Sequence, residues 1–103
     1  MAELREIKGE ELQGLIDSGE RVLVDFYMTN CGPCSMQKMI LKDLAKTTED
    51  VQIVALNVTE EQAIVEQYEI STAPFLILFD QGKEITRLLG IQQKAVVAAA
   101  LQA

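Results

Sequence analysis

Asn30-Cys31-Gly32-Pro33-Cys34 decides how this chain reads, and it follows directly on the apolar run Val22-Leu23-Val24-Asp25-Phe26-Tyr27-Met28. Two thiols separated by two residues can close a small disulfide ring. When the second sits in the first turn of a helix, both side chains fall on one face. The residues between them fit that turn, because Gly permits the backbone angles of a sharp strand-to-helix corner and Pro is pre-shaped for the first helical position. A helix starting there aims unpaired N–H groups and the positive end of its dipole at the Cys31 sulfur, which favours the thiolate. Cys31 is therefore the expected nucleophile. Cys34, one turn further in, is expected to be less exposed and to react second. Free cysteines often serve as small buried hydrophobes, but burial explains neither the spacing nor the Gly-Pro between them.

Working outward, the chain of 103 residues fits one domain spanning 1–103, long enough to bury a core without staples. Nine basic residues against sixteen acidic ones, a net charge of -7, argue against nucleic acid or an anionic membrane as partner. No apolar run is long enough to cross a bilayer, and Met1-Ala2-Glu3-Leu4-Arg5-Glu6 lacks the apolar centre of a secretory signal, so a cytoplasmic location is expected. In a reducing compartment a lone cysteine pair points to catalysis or redox sensing, not to structure. Histidine is absent, which excludes Ser-His triads, histidine acid-base catalysis and histidine-ligated metals. Two thiolates are also too few to close a tetrahedral zinc site within one chain.

The remaining pattern predicts alternating elements. Leu4–Ile7 reads as a short edge strand, and residues 10–18 as a helix stopped by Gly19. Residues 22–28 form a central strand, apolar on both faces apart from Asp25. From Pro33 to about Thr48 a helix is expected, with Met36, Ile40 and Leu44 as its apolar face and Lys38, Lys42 and Lys46 as a solvated stripe. Val51–Val58 is a second buried strand. Thr59 with Gln62 predicts a capping box for a helix to about Tyr68. Ser71-Thr72-Ala73-Pro74 turns into the apolar run Phe75–Phe79, and Asp80-Gln81-Gly82-Lys83 folds that strand back on 84–89. Gly90 ends it, and residues 92–101 form a last helix with Val97 and Leu101 on one side. The fold class is α/β, a central mixed sheet of four to five strands flanked by helices on both faces. Met28 and Met36 are expected to fill core space rather than to join the cysteines in a soft-metal site.

In this order and spacing the residues resemble the thioredoxin family over essentially the whole chain. The carriers are Val24-Asp25-Phe26 leading into Cys31-Gly32-Pro33-Cys34, Ala73-Pro74 before an apolar strand, the Gly82 hairpin, and Gly90 before the last helix. The resemblance implies a thiol-disulfide oxidoreductase in which Cys31 attacks a disulfide of another protein and Cys34 resolves the mixed disulfide. It implies that Asp25 is a buried acid assisting proton transfer at Cys34, and that Pro74 is a cis proline beside the cysteines where substrate backbone pairs. Asn30, Gly32, Pro33, Ala73, Gly90 and Ile91 would form the docking surface. It further implies a monomer that needs no bound cofactor, takes disulfide-containing proteins as substrates, and is itself recharged by a thioredoxin reductase.

Read on residues alone, Asp25 is either an acid satisfied by a neighbour or a strand-edge acid, yet an acid inside 22–28 is costly unless paired or protonated. Pro74 read alone is an ordinary turn proline. Several positions depart from the family pattern. Asn30, preceded by Met28 and Thr29, stands where a Trp is usual, so the flat aromatic contact is gone and a different partner or redox potential follows. Met39 replaces a frequent helix-kinking Pro, and Ser35 a common Lys. Ala55 replaces a Lys that in many members lies near the buried acid. Two readings of other classes stand beside the oxidoreductase: a binding module that uses the groove beside Pro74, and a dimer holding a metal or iron-sulfur cluster through Cys31 and Cys34 of two chains.

Overall fold

A computed structural model describes residues 3–102. Nine elements follow in the order β1 (Leu4–Ile7), α1 (Gly9–Asp17), β2 (Val22–Tyr27), α2 (Gly32–Ala45), β3 (Gln52–Asn57), α3 (Gln62–Tyr68), β4 (Phe75–Asp80), β5 (Lys83–Leu89) and α4 (Lys94–Ala100). The five strands form one sheet in the order β1-β3-β2-β4-β5. β3 runs parallel to both β1 and β2, whereas β4 is antiparallel to β2 and to β5. The sheet is mixed, and β1 is an edge strand as the sequence predicts.

Uninterrupted apolar strands arise where both faces of a sheet are covered, and the two faces here feed two separate cores. Val22, Val24, Phe26, Val54, Leu56, Phe75, Ile77 and Phe79 point one way, onto Leu12 and Ile16 of α1 and Ile64, Val65 and Tyr68 of α3. Leu23, Ile53, Leu76 and Leu78 point the other way, onto Leu41, Leu44 and Ala45 of α2 and Val97 and Leu101 of α4. Asp25, two residues on from Leu23, shares that second face. Between β4 and β5 the turn Gln81-Gly82 has φ of 54° and 79°, the left-handed pair that a two-residue hairpin requires. No helix among the described residues is long and apolar enough to cross a membrane.

Three local expectations are corrected. The buried side of α2 consists of Cys34, Gln37, Leu41, Leu44 and Ala45, so the Met36-Ile40-Leu44 face is rotated away from the sheet and only Leu44 is fully buried. Met36 and Met28 are therefore not core fillers: they are 59% and 45% exposed. Lys38 is not a freely solvated member of the lysine stripe, since its Nζ lies 3.2 Å from Glu6 Oε1 and 3.7 Å from the centre of the Tyr27 ring. The third correction concerns Thr59, which does not cap α3. The Thr59 hydroxyl accepts the Thr29 N–H at 2.9 Å, Gln62 donates forward to Glu66, and Glu61 occupies the N-cap position without a side-chain cap.

Helix ends also shift for identifiable reasons. α2 stops at Ala45 because the hydroxyls of Thr47 and Thr48 both donate to the Leu44 carbonyl. α4 starts at Lys94 because Gln93, its N-cap, is extended with ψ of 153°.

Candidate active site

β2 lies at the centre of the sheet, and where it ends the chain must turn sharply to start α2 above the same face. Asn30 takes that corner with φ of 57°, a left-handed conformation that Asn tolerates better than most side chains. The loop before it is latched from behind: Asn57 Nδ2 donates to Thr29 Oγ1 at 3.1 Å, and Asn57 Oδ1 accepts the Thr59 N–H at 2.9 Å. This polar cluster of Thr29, Asn57 and Thr59 draws on residues far apart in sequence, and no short-range motif marks it.

Cys31 is the N-cap of α2, and its sulfur accepts the Cys34 N–H at 3.3 Å. It therefore sits on one of the helix's unpaired donors, at the positive end of the dipole. Cys31 and Cys34 are joined by a disulfide, with Cα atoms 5.2 Å apart. Their exposure differs as the sequence predicts. Cys31 is half-buried and Cys34 is 2% exposed. Incoming groups therefore meet Cys31 first.

Two further segments converge on this corner. The Ala73–Pro74 peptide bond is cis, and the Cys31 sulfur lies 3.7 Å from the Ala73 carbonyl oxygen. The Pro74 carbonyl accepts the Gly90 N–H at 2.9 Å, which ties the end of β5 to the same place. Gln37 completes the clamp. Although it has no exposed surface, both ends of its amide are used: Oε1 accepts the Gln92 N–H at 2.6 Å and Nε2 donates to the Gln92 carbonyl at 3.2 Å. A buried polar side chain with both functions satisfied pins the 90–92 segment to α2. Ile91, within that segment, is left 43% exposed. Asn30, Gly32 and Pro33 adjoin Cys31 in the chain, Ala73 meets its sulfur, and the Pro74–Gly90 bond ties the segment carrying Ile91 to Ala73-Pro74, although 60 residues of sequence separate Asn30 from Gly90. Gln37 is the residue that sequence reasoning missed, because an isolated Gln on a helix carries no signal of burial.

Asp25 lies apart from this surface, in the middle of β2, fully buried between Ala55 of β3 and Leu76 of β4. Neither carboxyl oxygen has a hydrogen-bond partner among the described residues. Burial is the main reason its pKa is pushed up from 3.8 to about 7; the Lys38 charge pulls it down and the Glu6 charge pushes it further up. A carboxyl group with that affinity exchanges protons near neutrality, which an ordinary aspartate does not.

Residues 3–103 match the family model described as Thioredoxin. The chain belongs to the thioredoxin family. It is 42% identical over 88 residues to a thioredoxin of Chlamydia pneumoniae, covering 85% of each chain. Over 89 residues it is 40% identical to a thioredoxin-like protein of Synechocystis sp., again covering 85% of each. Among solved structures, the oxidised mitochondrial thioredoxin 3 of Saccharomyces cerevisiae superposes with a TM-score of 0.85 at 27% identity, covering 97% of this chain and 95% of that one. The thioredoxin fold expected from the sequence is the fold observed, and it carries a Cys-X-X-Cys pair at disulfide distance. As a member of this family with that pair, the protein is a thiol-disulfide oxidoreductase.

Proposed function

We propose that the protein reduces disulfides of other proteins, with Cys31 as attacking thiolate, Cys34 as resolving thiol and Asp25 as the proton acceptor for Cys34. The observation that carries this assignment is the asymmetry of the pair. Cys31 is reachable and receives a backbone N–H at the head of α2, whereas Cys34 is enclosed beneath it. In the first step the Cys31 thiolate attacks one partner sulfur; a Cys31–partner bond forms, the partner's S–S bond breaks, and the other partner sulfur leaves as a thiolate and takes a proton from water. In the second step Cys34 passes its proton to the Asp25 carboxylate and attacks the Cys31 sulfur. The Cys31–Cys34 bond forms, the Cys31–partner bond breaks, and the second partner sulfur leaves as a thiolate and takes a proton from water. Two electrons pass from the dithiol to the partner disulfide, so the step draws on no further electron carrier.

The exposed surface around Cys31 supports a protein substrate. Gly32 opens α2 without a left-handed φ, the corner expected of it being taken by Asn30, and a Cβ there would meet no protein atom within 4 Å, so this position faces open space beside Cys31. In this reading Pro74 and Gly90, joined by the Gly90 N–H to Pro74 carbonyl bond, and the exposed Ile91 next to them belong to the docking surface. The reading includes re-reduction of the Cys31–Cys34 disulfide by a thioredoxin reductase, action as a monomer, and a cytoplasmic setting.

Turnover with a protein disulfide, comparing wild type with Cys31→Ser and Cys34→Ser, tests the assignment. Wild type turns over repeatedly, Cys34→Ser accumulates a mixed disulfide with the substrate, and Cys31→Ser does neither. Accumulation on Cys31→Ser instead would reverse the two roles, and reaction limited to one equivalent in wild type would reduce the protein to a binding module.

A further inference from the structure

Glu6 of β1 pairs with Ala55 of β3, and Ala55 pairs with Asp25 of β2. The three residues form one cross-strand row, so their side chains leave the sheet on the same face, the one covered by α2. Adjacent strands are about 4.8 Å apart, which places the Glu6 and Asp25 backbones roughly 10 Å from each other with only a methyl group between them. Tyr27, two residues beyond Asp25, shares the face. Into this corner α2 brings Lys38, whose Nζ is 3.2 Å from Glu6 Oε1 and 3.7 Å from the Tyr27 ring centre. Tyr27 closes the triangle by donating its hydroxyl to Glu6 Oε2 at 2.7 Å. Lys38 also lines the groove that contains Cys31 and Cys34.

We infer that Lys38, positioned by Glu6 and Tyr27, is the cation that keeps Asp25 ready to accept the Cys34 proton, replacing from the helix a charge that the Ala55 position does not supply from the sheet. The inference rests on Asp25 being the proton acceptor. Among the described residues the charges that act on Asp25 are Glu6 from β1 and Lys38 from α2, with Tyr27 two residues further along β2, while its register partners on β3 and β4 are Ala55 and Leu76. Because neither Asp25 oxygen has a hydrogen-bond partner among the described residues, its ionised form depends on a nearby positive charge more than that of a hydrogen-bonded carboxylate. Lys38 favours that form and Glu6 opposes it. Burial works against the Lys38 ammonium, but its contacts with Tyr27 and Glu6 outweigh this and hold its pKa above the usual lysine value. The cation is therefore charged throughout the range in which Asp25 titrates. Lys38 is a positioning residue: it touches neither sulfur and acts through the carboxyl group.

The test follows the Asp25 carboxyl carbon by NMR as a function of pH in wild type, Lys38→Met, Lys38→Arg and Glu6→Gln. In parallel, the rate at which Cys34 releases a partner thiol from a preformed mixed disulfide is measured over the same range. Lys38→Met is expected to move the Asp25 midpoint up by about half a unit, with roughly a threefold slower release below the midpoint. Glu6→Gln, which keeps an acceptor for Lys38 but removes the negative charge, moves the midpoint down, and Lys38→Arg restores it toward wild type. A purely structural role would give shifts of one sign or none. An unchanged or lowered midpoint in Lys38→Met overturns the inference. Asp25→Asn separates the two levels: if it leaves the pH profile of release unaltered, the proton-acceptor reading itself is wrong and the inference falls with it. If Asp25→Asn flattens the profile while Lys38→Met does nothing, only the inference fails.

Discussion

Asp25 makes the oxidised protein less stable as pH rises, and the size of the effect follows from its surroundings. The carboxyl group is fully buried without a hydrogen-bond partner among the described residues, and its pKa stands at about 7 against an ordinary 3.8. Below about pH 4 the group is neutral in both the folded and the unfolded chain and costs nothing. Between those values the unfolded chain releases its proton and the folded one keeps it, so folding is progressively disfavoured until the folded group also ionises. Three pKa units correspond to about 4 kcal/mol, nearly all of it lost between roughly pH 4 and 8. That is a large share of the 5–15 kcal/mol typical of a domain. Replacing Asp25 with Asn removes the titration while keeping the shape. Urea unfolding of the disulfide form, followed by far-ultraviolet circular dichroism because the chain has no Trp, measures both proteins from pH 4 to 9. Other carboxylates titrate in both and cancel in the difference. Relative to wild type, Asp25→Asn is expected to gain about 4 kcal/mol between pH 4 and 8 and to level off above. A difference that stays constant within about 1 kcal/mol across the range would refute the reasoning.

The corrected orientation of α2 predicts contrasting costs for neighbouring apolar residues. Leu41→Ala, at a position with no exposed surface, should cost about 2–5 kcal/mol, whereas Met39→Ala, 71% exposed, should stay within about half a kcal/mol in the same urea titration. Gln37→Leu leaves the Gln92 N–H and carbonyl without their partners and should cost about 1–3 kcal/mol. In that variant amide hydrogen exchange should quicken at Gln92 ahead of the strands; unchanged protection there would show that Gln37 does not hold the segment.

Strong local signals made most of the fold legible. The apolar runs 22–26 and 75–79 require two covered faces, Gln81-Gly82 requires a tight hairpin, and Cys31-Gly32-Pro33-Cys34 requires a helix start with its sulfurs at the head. Those residues carry their chemistry within a few positions of themselves, so reading them needs only sterics, pairing and helix geometry. The orientation of α2 was not legible in the same way, because Met36, Ile40 and Leu44 at four-residue spacing satisfy the pattern of a buried stripe as well as the true face does. The true face contains Cys34 and Gln37, which no hydrophobic count would choose, and it is selected by the sheet below it.

What the sequence determined by itself is the order of elements, the redox pair and the direction of its asymmetry, each set by neighbouring residues. The tertiary structure alone decided that Gln37 reaches a segment 55 residues away and that Thr59 serves the Thr29 loop instead of its own helix. It also decided that Glu6, Tyr27 and Lys38 meet above a buried acid. Those contacts depend on strand order and register, and a parallel sheet brings distant residues together by hydrogen bonds between backbones that are almost blind to the side chains they align.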